Sequence, residues 1–150
     1  MTPLSELYQE VILDHNRAPR NYRQIENADR HAEGYNPLCG DQLSVWLKME
    51  GDRITDVSFL GSGCAISRAS ASLMTTIVKG LTAAQATEVF DGFRGMITGQ
   101  SASVPSSLPA KLSVFSGVRE FPIRVKCASL SWHALKAALE GKEADPVSSE

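Results

Sequence analysis

Between Gln42 and Val78 the spacing of apolar side chains changes period, and that change constrains the fold more than any other feature of the chain. In "QLSVWLKM", Leu43, Val45, Leu47 and Met49 alternate with Ser44, Trp46 and Lys48, the period of a strand with one buried face. "EGDR" supplies a turn and "ITDVSFLG" returns, so the segment reads as a β-hairpin. From Cys64 onward, "CAISRASASLMTTIVKG" places Ala65, Ile66, Ala69, Leu73, Ile77 and Val78 at steps of three and four until Gly80 stops the run. A strand pair therefore hands over to a helix across "GSGC", with Cys64 at the head of that helix.

The flanking segments add helices. "PLSELYQEVILDH", residues 3–15, carries Leu4, Leu7, Tyr8, Val11 and Ile12 on one helical face, with Pro3 and Glu6 suited to a first turn. "NRAPRNYRQIENADRHAEGYNP" is polar and broken by Pro19, Gly34 and Pro37, and is expected to be mostly loop. Thr82 and Gln85 form a capping-box pattern at the head of a helix weakened by Gly92 and Gly95. Residues 99–109 are small, polar and proline-bearing, the composition of an exposed loop. "AKLSVFSGVREFP" suggests a short helix ending near Gly117 and a turn at Pro122, before a last helix in "RVKCASLSWHALKAALEG" with Cys127 at or near its start. Residues 142–150 read as a frayed tail. The expected class is α+β: a small antiparallel sheet with helices packed on one face, in one domain over residues 1–150.

Composition narrows the function. At 150 residues, 43% hydrophobic and 21% charged, with a formal charge of -2 and an isoelectric point near 5.9, the chain lacks the basic stripe of a nucleic-acid binder. It has no run of about 18 apolar residues for a membrane span and no signal-peptide pattern at its start, so a cytoplasmic location is expected. Three cysteines, Cys39, Cys64 and Cys127, are an odd number spread along the chain, a poor fit to a disulfide framework. Reduced thiols in such a protein serve core packing, metal ligation or sulfur chemistry.

Each cysteine lies where the structure is expected to change type: Cys39 on the Pro/Gly turn of "NPLCGD", Cys64 between a strand and a helix, Cys127 near a helix start. Helix N-termini favour thiolates through unpaired amides and the dipole. Asp41, two residues beyond Cys39, points to the same side in an extended segment and offers an oxygen ligand. Three thiolates and a carboxylate would complete a tetrahedral zinc shell. Spacing alone does not decide, since Cys64 follows Cys39 by 25 residues and Cys127 follows Cys64 by 63, unlike a CxxC knuckle; three unrelated packed thiols remain the alternative. The serines of "SRASAS" have no histidine and acid beside them and are read as small packing residues. His133 is expected to be partly buried, and His15 to serve structure or partner docking. Trp46 and Trp132 are read as packing residues.

"NPLCGD", "GSGCAISRASASLMT" and "FPIRVKCASLSW", together with "LYQEVILDHNRAPRNY", resemble the U-type iron–sulfur cluster assembly family, IscU-like and NifU N-terminal, over roughly residues 4–141. The resemblance implies an α+β fold in which Cys39, Asp41, Cys64 and Cys127 converge as metal ligands. Within that family the classical IscU scaffold, which assembles a [2Fe-2S] cluster, has a histidine before the third cysteine and a Leu-Pro-Pro-Val-Lys motif. Here Lys126 precedes Cys127, the motif does not occur, and the stretch between the second and third cysteines is longer by roughly twenty residues, one loop-plus-turn unit. These features resemble the SufU branch. That branch implies a bound zinc and a sulfurtransferase that accepts persulfide sulfur on Cys39 from a SufS-like cysteine desulfurase and passes it to SUF assembly scaffold proteins. In this reading Cys39 leaves the metal to attack, a partner ligand replaces it, and Arg124 pairs with the released thiolate or persulfide. The alternative keeps the same ligands for an iron–sulfur cluster scaffold.

Overall fold

The structure is a computed structural model that describes residues 3–37, 40–99 and 109–141. Its elements are α1 (Pro3–Arg17), β1 (Arg30–Asn36), β2 (Asp41–Glu50), β3 (Arg53–Ser62), α2 (Ala65–Val78), α3 (Ala83–Thr98), a run of 3₁₀ turns over Ala110–Glu120, and α4 (Pro122–Leu139). The strands form one antiparallel sheet in the order β1-β2-β3. The expected α+β class with a small antiparallel sheet is thus observed.

The alternation in β2 places Leu43, Val45 and Leu47 wholly inside, while Gln42, Ser44, Trp46 and Lys48 line the opposite face. β3 adds Ile54, Val57 and Phe59 to the inner face. Against that face lies α4, which contacts both β1 and β2. α2 packs on α4 and β3, α1 rides on α2, and α3 closes the far side against the 3₁₀ turns and α4. Phe59, Phe90, Phe93, Phe115 and Trp132 fill the space between these layers.

β1 is a correction to the expected loop. Its buried positions are Ala32, Gly34 and Asn36, so it carries no large apolar residue for a period-two pattern to display. A Cβ on Gly34 would meet Leu130 Cδ1 at 3.0 Å, so the missing side chain is what lets α4 approach the strand. α4 is a second correction: Pro122 is its first residue rather than a turn before it. Proline lacks an N–H that this position does not need and its φ is set for a helix. Cys127 is therefore in the second turn of α4, near its start.

Other expectations are observed. The Thr82/Gln85 capping box forms with both reciprocal hydrogen bonds. Gly80 ends the α2 segment at φ +91°. The small residues of "SRASAS" let α2 lie close to α4: Ser70 Oγ donates to the Ala128 carbonyl at 2.5 Å and accepts from Trp132 Nε1 at 3.2 Å. Of the α1 stripe, Tyr8, Val11 and Ile12 pack against the core; the side chains of Leu4 and Leu7 lie outside the described residues, as do residues 100–108 of the expected loop and the 142–150 tail. Among the described residues no helix is long and apolar enough to cross a membrane.

Candidate metal and sulfur site

The hairpin register builds half of the site. Gln42 pairs with Ser62 and Leu43 with Gly61, so Asp41, entering β2, and Cys64, leaving β3, arrive side by side at the open end of the β2–β3 ladder. The crossing is tight. A Cβ on Gly61 would lie 2.3 Å from the Gln42 carbonyl oxygen, and one on Gly63 would lie 2.3 Å from Asp41 Oδ1. Gly63 also holds φ +150°, a backbone conformation that L side chains rarely adopt. Only glycine at that position leaves room for the carboxylate.

Asp41 is fully buried, which for a carboxylate requires partners. The Cys64 backbone N–H donates to its Oδ1 at 2.7 Å, and the Cys64 thiol donates to Oδ2 at 3.5 Å. Cys64 is at the same time the N-cap of α2, its Sγ accepting from the Ser67 N–H at 3.4 Å. The sequence expectation of a thiol at a helix N-terminus is met at this residue. A hydrogen bond with Cys127 lowers the Cys64 pKa; burial opposes it, the Ser67 amide adds to the lowering, and Asp41 pushes the other way.

Cys127, buried in the second turn of α4, completes the cluster. One ligand atom each from Asp41, Cys64 and Cys127 falls within 4.8 Å of the others. A tetrahedral zinc with sulfur at about 2.3 Å and oxygen at about 2.0 Å sets those two donors about 3.5 Å apart. The Cys64 Sγ to Asp41 Oδ2 separation is 3.5 Å. The donor set is two thiols and a carboxylate with one carboxylate oxygen already committed to an amide, and it fits zinc. Cys39 lies outside the described residues.

Arg124 stands in the first turn of α4, exposed, its guanidinium carbon 4.5 Å from the centroid of the Phe121 ring. It shares a cavity of about 490 Å³ with Tyr8, Gln9, Ile12, Leu13 and Ile66. Exposed apolar side chains surround this end of the molecule: Leu13 is 56%, Phe121 47% and Ile123 60% accessible. The histidines stand elsewhere. His15 Nδ1 and Ser72 Oγ share a 2.6 Å hydrogen bond inside the protein, His133 packs edge-on to Phe90, and His31 stacks on Trp46 across the outer face of the sheet. Tyr8, read from sequence only as part of the α1 stripe, lies close enough for Cys64 and Cys127 to act on its charge, and periodicity gave no signal of that.

The profile of the family described as NifU-like N terminal domain matches residues 7–128. The zinc-dependent sulfurtransferase SufU of Bacillus subtilis is 38% identical over 93% of this chain and 94% of its own length. The iron–sulfur cluster assembly scaffold protein IscU of Streptococcus pyogenes serotype M1 is 36% identical over 93% of this chain and 87% of its own. A crystal structure from Fervidobacterium islandicum AW-1, assigned as an iron–sulfur cluster assembly scaffold for the SUF system, superimposes with a TM-score of 0.83 at 35% identity, covering 89% of this chain and 97% of that one.

Proposed function

Since the chain belongs to the family of NifU-like N-terminal domains, we propose that it acts in iron–sulfur cluster assembly as a zinc-dependent sulfurtransferase of the cytoplasm. It accepts persulfide sulfur on Cys39 from a SufS-like cysteine desulfurase and passes it to SUF scaffold proteins. The observation that carries this reading is the convergence of Asp41, Cys64 and Cys127 within 4.8 Å in a donor set matched to zinc. Cys39, two residues before Asp41 in the sequence, enters as the fourth ligand. Lys126 in place of a histidine before Cys127, and the absence of Leu-Pro-Pro-Val-Lys, favour transfer over scaffolding.

Bound zinc would keep the thiolates deprotonated at neutral pH and damp their nucleophilicity. Asp41 and Cys64 are cross-linked by two hydrogen bonds, and Cys127 is buried in a helix. These three are the holding ligands, and Cys39, two residues before Asp41 in the sequence, is the one that acts. Its thiolate attacks the outer sulfur of the desulfurase's Cys–S–SH. A new S–S bond forms on Cys39 as the desulfurase's S–S bond breaks, the electron pair leaving on the desulfurase thiolate. The proton stays on the transferred sulfur until water removes it, and nothing is oxidised or reduced overall. Arg124, at the rim, attracts the resulting anion. The exposed Leu13, Phe121 and Ile123 supply apolar surface for a partner to exclude water.

The scaffold reading, in which the same four residues hold a [2Fe-2S] cluster, draws on the Streptococcus relative's name. Zinc and iron quantification of freshly purified protein beside a desulfurase assay separates the two. Transfer predicts about one zinc per chain, no visible absorbance, and stimulation of the desulfurase that Cys39→Ala abolishes in a folded protein. Brown protein with iron and sulfide, or full stimulation by Cys39→Ala, would refute it.

A further inference from the structure

The hydroxyls buried along α2 have acceptors, with one exception. Ser70 donates to the Ala128 carbonyl, Ser72 shares a hydrogen bond with His15, and Thr75 donates to the Ser72 carbonyl at 2.7 Å. Ser67 differs: it is wholly buried, and its Oγ has no hydrogen-bond partner among the described residues. A buried hydroxyl without an acceptor is costly, and native proteins seldom carry one without a reason.

The place of Ser67 in the helix points to one acceptor. It is the third residue of α2, so no full helical turn precedes it to supply the carbonyl that a helical serine ordinarily takes. The carbonyl three residues back, that of Cys64, already accepts from the Arg68 N–H at 3.2 Å. The one four back belongs to Gly63, whose φ of +150° is not helical. Beside Ser67 stands instead the Cys64 sulfur, 3.4 Å from the Ser67 amide nitrogen. Covalent geometry keeps a serine Oγ within about 4 Å of its own nitrogen, and the Cα–Cβ bond of a helical residue leans toward the N-terminus; both bring the hydroxyl toward that sulfur. A thiol sulfur is a weak acceptor, whereas a thiolate takes strong, charge-assisted hydrogen bonds.

We infer that Ser67 is a positioning residue whose hydroxyl donates a hydrogen bond to Cys64 Sγ when that sulfur serves as a metal ligand. The assignment rests on the zinc reading above. Ligation removes the thiol proton, which in Cys64 is the donor facing Asp41 Oδ2. The sulfur then accepts from two groups of one residue, the Ser67 N–H and the Ser67 O–H. A neutral donor draws charge off the sulfur without adding a cation that would repel the metal. It also ties the sulfur to the first turn of α2, as the Cys64 amide ties the Asp41 carboxylate, so that two of the holding ligands are oriented by α2 itself.

Ser67→Ala removes the hydroxyl and leaves the amide. Ser58→Ala is its control, because Ser58 is likewise wholly buried with an unpartnered Oγ but lies in β3, six residues before Cys64. Two measurements on the full chain are needed: zinc affinity by competition with a chelator, and the sulfur-to-metal charge-transfer band of the protein loaded with cadmium. Ser67→Ala is expected to bind zinc about tenfold more weakly, the lower end of the range for loss of a group that orients a ligand. Its cadmium band should move to longer wavelength, since a sulfur relieved of a hydrogen bond gives up charge more readily. Ser58→Ala should match the wild type in both, and circular dichroism should be the same for all three. The band decides between positioning and packing: an unmoved band in Ser67→Ala, whatever its zinc affinity, or an equal displacement in Ser58→Ala, would overturn the assignment. The two levels stay apart. If the wild type takes up zinc and cadmium and shows the band while Ser67→Ala is identical to it, only the Ser67 role fails; if the wild type holds neither metal, the zinc reading fails and takes Ser67 with it.

Discussion

Asp41 and Gly63 act as a pair. The carboxylate has one oxygen committed to the Cys64 amide and the other turned to the Cys64 thiol, and the space it occupies is the space a Gly63 side chain would need. Gly63→Ala must therefore push Asp41 aside or strain a backbone at φ +150°. Disturbing a group that orients a metal ligand costs about 10–100-fold in affinity, and that range is the expected loss of zinc affinity for Gly63→Ala, read by competition with a chelator. Asp41→Ala should lose at least as much, with circular dichroism unchanged, because the site lies outside the hydrophobic core. Unaltered zinc affinity in Asp41→Ala would remove Asp41 from the ligand set. The candidacy of Asp41 was legible from its place two residues after Cys39. The reason for Gly63 was only half legible: glycine next to cysteine signals a close backbone approach, but not that the neighbour is a carboxylate delivered by the strand partner.

Elements announced by large apolar residues could be read directly, and those built from small ones could not. The β2–β3 hairpin, α2 and the α3 capping box each declare themselves by period or cap, whereas β1 buries Ala32, Gly34 and Asn36 and resembles a loop until α4 is seen against it. Cys127 lies near the start of α4 as its sequence suggests, but two residues deeper than a start at Arg124 implies, because Pro122 is the first helical residue rather than an end. Trp132, wholly buried on α4 between Phe90 and Phe93, should be the costliest single truncation: Trp132→Ala is expected to lose about 3–5 kcal/mol in denaturant titration. The docking of α1 on α2 carries a pH dependence. Burial holds the His15 pKa below its usual 6.5, Arg20 and Lys111 adding to the effect and Asp14 opposing it; burial does the same to His133, aided by Arg94 and Lys136. The unfolded chain takes up these protons first. The stability they contribute is thus complete above pH 6.5 and is lost as pH falls through 6.5 toward the depressed folded values. Asp14 and Asp56, whose pKa values are lowered from 3.8, hold their contributions until far more acid conditions. Thermal melts should be level between about pH 7 and 8 and fall steadily from about pH 6.5 to 5, with a shallower slope in His15→Gln; melts indifferent to pH across that window would contradict the burial of a neutral His15.

At the scale of the whole molecule, one end gathers the chemistry while the other holds the fold. β2, the N-terminus of α2 and the second turn of α4 each bring one donor to the same point, whereas Phe59, Phe90, Phe93, Phe115 and Trp132 stabilise the layers without any contribution from those donors. Removing the metal should leave secondary structure intact yet uncouple three elements. At a free zinc concentration a thousandfold above Kd, binding stabilises the fold by about 4 kcal/mol. For a chain of this size that corresponds to a Tm lower by about 10 °C in the chelated protein, and a Tm unchanged by chelation would place the metal elsewhere. The division also explains why Asp41, Cys64 and Cys127 could be singled out from short motifs while the electrostatics between them could not: they come from distant parts of the chain, and only folding sets one against another. The central claim is that sulfur travels on Cys39 while Asp41, Cys64 and Cys127 hold. Its most direct test is peptide mapping of the alkylated protein after incubation with a cysteine desulfurase and free cysteine. The account predicts one additional sulfur on the peptide containing Cys39, with zinc retained; sulfur on Cys64 or Cys127 instead, or iron–sulfide absorbance without any persulfide, would contradict it.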